Sequence, residues 1–232
     1  MLDSTANQTE YRCVHCDRMF RRESTLTVHM CEPKRRLLNR DERGVQIGFQ
    51  AFLAFYRSMH GSARLKTLDD FDASPYYRAF VKFGHYCVNT RVIDPESYMR
   101  WLLAHNTAID RWSLDHQYTD FLIEWLPEEP VSQALNRGLA WADDWAQQNH
   151  ASAQHCLRYG STNVICYAVT TGRLSPWLIY NCASGQEFLA KLNDRDLSMI
   201  WPYVNADRWQ RRFYDYPADQ TVCQQRLLQQ GW

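Results

Sequence analysis

The chain has 232 residues, no net formal charge and 45% hydrophobic residues, enough for one main domain with a substantial core plus a small module. Electroneutrality excludes a uniformly basic polyanion binder, so any attraction to nucleic acid must come from local patches. No apolar run approaches the roughly 18 to 20 residues of a membrane-spanning helix, so no membrane partner is expected.

Residues 1–10 are polar and contain no apolar signal core; they are expected to form a disordered tail on a cytoplasmic protein. Residues 11–31 follow, with Cys13 and Cys16 two residues apart and twelve residues leading on to His29. Tyr11, Phe20 and Leu26 stand where a ββα module keeps its small core. A segment this short cannot bury enough apolar surface to fold alone, so a Zn2+ ion is expected to supply the folding free energy. The fourth ligand is irregular. Pro33 stands four residues after His29, and the nearest candidate is Cys31, two residues on. Two residues along an intact helix turn a side chain by about 200°. Cys31 therefore reaches the metal only if the helix unwinds after His29, which Pro33 favours. The expected ligand set is Cys13, Cys16, His29 and Cys31, with His15 as the competitor inside the Cys-x-x-Cys loop. This segment resembles the C2H2 zinc-finger family, with Cys31 as its departure.

In a module of that shape, base contacts come from the start and middle of the helix. Arg22, Ser24, Thr25 and Val28 occupy those places, and Arg22 has the geometry to grip guanine O6 and N7. Residues 11–36 contain seven Lys or Arg against three Asp or Glu. Lys34, Arg35 and Arg36 follow the last ligand directly and suit phosphates. DNA or RNA is the expected partner. A finger used only structurally, in a protein-interaction or assembly factor, is the alternative.

Residues 32–43 read as a charged connector and 44–232 as one mainly α domain, about eight to ten short helices with little or no sheet. Val45, Phe49, Phe52, Leu53 and Tyr56 fall on one helical face, ended by Gly61. Ser74-Pro75 predicts a helix start, and Asp94-Pro95 another. Ser113–Trp125 predicts a helix stopped before Pro127, followed by the longest, Val131–Gln148. Residues 163–171 fit either a strand or a buried helix. Ser175-Pro176 reads as an N-cap, and Ser184 to Glu187 as a capping box. Three short helices then cover Asn193–Trp201, Asn205–Phe213 and Asp219–Leu228.

Enzyme chemistry has little to stand on. Asp115, His116, Asp120 and Glu124 share part of a helix face and would serve a metal-dependent hydrolase, but such a face is more often a solvated surface. No Gly-rich phosphate loop, Gly-x-Ser-x-Gly or His-Glu-x-x-His is present. Five further cysteines, Cys87, Cys156, Cys166, Cys182 and Cys223, read as buried free thiols. A second metal site at His155, Cys156, Cys166 and Cys182 matches no standard spacing. Trp209 to Tyr216 has the composition of a base-stacking platform, or of ordinary core. Residues 44–53, 69–84 and 172–185 resemble stretches of finger-bearing proteins of large tailed bacteriophages of the T4-like kind. That resemblance implies expression, and a possible protein partner, inside an infected bacterium, and contributes no catalytic residues.

Overall fold

A computed structural model describes residues 10–60 and 66–232. The expected tail, Glu10 excepted, and the helix stop at Gly61 lie outside them. The protein is mainly helical, and among the described residues the only sheet is a two-stranded hairpin near the start. It divides into two compact units, one running through Arg91 and including Pro95–Trp112, the other comprising Val92–Asp94 and Ser113–Trp232.

The first unit contains β1 (Tyr11–Arg12), β2 (Met19–Phe20), α1 (Glu23–Thr27), α2 (Glu32–Leu38), α3 (Arg43–His60), α4 (Leu68–Asp72), α5 (Tyr77–Thr90) and α6 (Pro95–Ala104). The apolar face read at Val45 to Tyr56 carries α3 onto α5. Phe52, Phe71, Phe80, Phe83 and Trp112 are fully buried, with the Phe83 and Phe80 rings edge-on to Trp112 at 5.3 and 6.1 Å. Aromatic pairs in that geometry add about 0.5–1.5 kcal/mol each beyond area burial. Three glycines let α3 and α5 touch along their backbones. A Cβ on Gly84 would lie 1.8 Å from the Gly44 carbonyl oxygen, and one on Gly48 would lie 2.7 Å from that of Phe80. The start of α5 corrects the expectation for Ser74-Pro75. The helix begins at Tyr77, and the Ser74 hydroxyl accepts from the Tyr76 amide at 3.1 Å in the preceding turn.

The charged segment 32–43 forms α2 and the turn into α3, and its Arg36 and Arg40 are held by contacts. Arg40 binds Asp72 at 2.7 Å and Asp69 at 2.5 Å. Arg36 donates to the Asp72 carbonyl and lies 4.2 Å over the Tyr77 ring.

The second unit contains α7 (Asp115–Glu128), α8 (Val131–Asn149), α9 (Cys156–Tyr159), α10 (Thr162–Thr170), α11 (Pro176–Asn181), α12 (Ala183–Lys191), α13 (Asp194–Val204), α14 (Ala206–Asp215) and α15 (Pro217–Gln229). Residues 163–170 thus lie in a helix, buried on Ile165, Cys166, Ala168 and Val169, with Thr171 as its C-cap. The N-cap read at Ser175 is present, and Asn193 and Asn205 cap the two helices expected to begin at them. Ser184 is not a cap, because α12 starts one residue earlier, after Cys182. Pro127 does not stop α7 either. Its ring removes the hydrogen bond that the Ile123 carbonyl would have received, and the Arg208 guanidinium donates to that carbonyl instead, at 2.7 Å.

Glu129 is buried beside Arg137 (2.7 Å) and Ser175 (2.9 Å), while its second carboxylate oxygen has no partner. Burial raises its pKa above the usual carboxylate value, against the lowering by Arg137 and Ser175. The folded state therefore holds this proton to higher pH than the unfolded chain. The stability contribution of the group is full below about pH 4.5 and declines as pH rises through the folded value. Thermal midpoints of the parent and Glu129→Gln proteins should show this. The difference, parent minus variant, should shrink from pH 4 to pH 7; a growing difference would refute the assignment.

Candidate metal centre

The hairpin places the first two ligands. Tyr11 pairs with Phe20 and Arg12 with Met19. Between the strands, the Cys13 amide donates to the Arg18 carbonyl and the Asp17 amide to the Cys13 carbonyl, both at 2.9 Å. Asp17 closes this turn at φ 59°, a left-handed conformation that aspartate tolerates better than most residues. The Arg12–Asp17 ion pair at 2.7 Å closes over it. Both sulfurs consequently face the same side, with Cys13 buried and Cys16 half-buried.

The other two ligands arrive by a route that differs from the expected one. α1 has only five residues and ends at Thr27, so His29 lies beyond the helix rather than on it. The His29 amide bonds to the Leu26 carbonyl at 3.1 Å, and its ring packs on Phe20 at a centroid distance of 4.7 Å. Cys31 is extended, with φ −90° and ψ 164°, and forms the N-cap of α2, which carries Pro33 in its first turn. Unwinding thus removes the 200° obstacle, and the proline opens a new helix as well as ending the old one. Lys34 donates to the His29 carbonyl at 3.2 Å and fixes this bend.

The ligand atoms of Cys13, Cys16, His29 and Cys31 all lie within 4.8 Å of one another. The Cys13 and Cys31 sulfurs are 3.9 Å apart, and Cys16 Sγ is 3.3 Å from His29 Nε2. Bond lengths of about 2.3 Å to sulfur and about 2.1 Å to nitrogen imply tetrahedral edges of about 3.8 Å and about 3.6 Å. The four residues therefore fit one tetrahedral ion and could hold a metal. The thiols already differ. The His15 amide leads in lowering the Cys13 pKa. The Arg18 amide lowers that of Cys16, but burial and the neighbouring Cys13 and Cys31 sulfurs outweigh it and raise the value. A dication among the sulfurs would stabilise all three as thiolates. His15 is outside the group.

Among the described residues no other group of three or more His, Cys, Asp or Glu converges in this way. Asp115, His116, Asp120 and Glu124 are not brought together, and neither are His155, Cys156, Cys166 and Cys182. The buried thiols behave as small hydrophobes: burial pushes Cys87, Cys156 and Cys223 up to about 12 and Cys166 to about 11.

Arg22, Ser24, Thr25 and Val28 are exposed, and α1 has no buried residue. Val28 lies just past the helix as its C-cap. The basic run is not uniform. Lys34 and Arg36 are half-buried in the contacts described, and only Arg35 projects outward. Trp209 is fully buried against Trp177 and Phe213, so it offers no stacking face. What the sequence reading missed is the charge that α5 places beside α2, at Arg78, Lys82 and His85. Their spacing of four and three marks one helical face, but nothing in the sequence says what that face meets.

Among the described residues no helix is long and apolar enough to cross a membrane. Compared with known protein families, with curated proteins and with solved structures, the chain matches none.

Proposed function

We propose that this chain binds one zinc ion through Cys13, Cys16, His29 and Cys31 and uses the metal-held module to contact nucleic acid. The convergence of the four ligand atoms carries the zinc half of this reading. Three sulfurs and one imidazole suit zinc, and four protein ligands leave no open position for a reacting water. The ion is therefore structural and not catalytic. The nucleic-acid half is supported by the exposed edge of α1. Arg22 is the residue suited to a guanine, with Ser24, Thr25 and Val28 beside it. One such module spans only about three base pairs, so most of the affinity must come from elsewhere on the chain. The likeness to tailed-phage proteins would set this contact in an infected bacterium.

A specific observation favours a second reading, in which the module is purely structural. Cys31 both completes the metal set and caps α2, and Lys34 and Arg36 point inward. Fluorescence anisotropy with labelled duplex DNA and single-stranded RNA separates the two. If the module reads bases, Arg22→Ala should weaken binding about tenfold, as expected for loss of one bidentate contact. Unchanged affinity would leave the module a structural role.

A further inference from the structure

We propose that the groove between α2 and α5 is a binding site for the sugar-phosphate backbone of nucleic acid. This deepens the nucleic-acid reading above and rests on it. The groove has a volume of about 390 Å³. Arg35 and Arg36 line it from α2, and Arg78, Lys82 and His85 from α5. Glu32 is the one carboxylate in the lining. It is shared by Arg36 at 3.3 Å and by Arg35 and Arg78, both at 3.9 Å. A single negative charge cannot neutralise three guanidiniums and the Lys82 ammonium. Glu42 lies 3.8 Å from His85 and moderates that end only. Asp69 and Asp72 lie outside the lining, where Arg40 pairs with both and offsets one of their two charges. The groove is thus left with a positive excess.

Its shape favours a strand over a small anion. Positions 78, 82 and 85 follow one another along one face of α5 over about 10 Å. Over that length a strand presents about three phosphates, at about 3.4 Å of axial rise each. Arg35 and Arg78 have side chains 61% and 84% exposed, so both can reach outward without breaking core contacts. The aromatic floor, Tyr77, is buried and covered by Arg36, which leaves no ring for a base to stack on. Binding here should therefore be indifferent to sequence. A comparable groove at α7 and α14 does not share this charge: Arg208, Arg211 and Arg212 face Glu124, Glu128 and Asp215.

The test is the salt dependence of oligonucleotide binding by the full zinc-loaded chain, for the parent, Arg78→Gln/Lys82→Gln and Arg22→Ala proteins. Each lost phosphate contact lowers the slope of log K against log[salt] by about 0.7 to 0.9. The double variant should therefore lose about 1.4 to 1.8 in slope and bind about tenfold or more weakly at low salt, equally for every sequence. Zinc content and thermal midpoint should match the parent. Parent-like slope and affinity in the double variant, with Arg22→Ala weakened, would overturn the groove and leave the proposed function standing. No oligonucleotide binding by the parent would overturn both. Displacement of the oligonucleotide by polyglutamate as effectively as by unlabelled nucleic acid would assign the groove to an acidic protein surface and overturn the proposal.

Discussion

Cys13→Ser is expected to take the zinc content from one ion per chain to near zero and to unfold residues 11–31. Tyr11, Phe20 and Leu26 are only half-buried, so this short segment has no closed apolar core to hold it folded without metal. A structural zinc ion adds about 10 kcal/mol or more. Hydrogen exchange gives the readout by segment. Amides at 11–31 should lose protection in the variant, or in the parent treated with chelator, while the second unit serves as reference. His15→Ala should retain both metal and protection. Protection of residues 11–31 that survives complete loss of metal would sink the zinc account of folding.

Gly84→Ala should be the most damaging single methyl addition in the first unit. The new Cβ would sit 1.8 Å from the Gly44 carbonyl oxygen and 2.7 Å from the Gly48 nitrogen. Both are backbone atoms within a packed helix pair, so neither can swing aside. Alanine returns about 1 kcal/mol of helix propensity, but overpacking against backbone costs more than that. A net loss of about 2 kcal/mol corresponds to a fall of about 10 °C in the midpoint of a unit near 100 residues. Gly44→Ala is the internal comparison. Its Cβ would meet the His85 ring at 2.4 Å, and that half-exposed side chain can rotate away. Thermal denaturation should rank Gly84→Ala well below Gly44→Ala; equal or reversed midpoints would show that the helices are free to separate.

The converging group of Cys13, Cys16, His29 and Cys31 was legible because tetrahedral coordination constrains both residue type and spacing. The course of the chain around them was not. Pro33 reads as a helix stop, yet it is equally suited to the first turn of a new helix, and here it serves α2. Pro127 reads the same way, but Arg208, 81 residues on, takes up the carbonyl that the ring leaves free. A local rule cannot anticipate a donor from that distance. More helices are present than expected because α4 and α9, with five and four residues, are too short to show periodicity, and residues 163–171 fit a strand as well as a helix. The apolar face of α3 was plain from Val45 to Tyr56. Which polar face of α5 would stand beside α2 depends on helix pairing, and hydrophobic pattern does not encode that.

The glycine contact between α3 and α5 bears on more than stability. With Gly84 against Gly44 and Gly48, α5 can neither slide along α3 nor roll upon it. A slip of one residue would turn Arg78, Lys82 and His85 by about 100°, away from α2. The two cationic rows are therefore preorganised. An incoming phosphate chain would have only side-chain tips to order, because the helices that carry them are already in register.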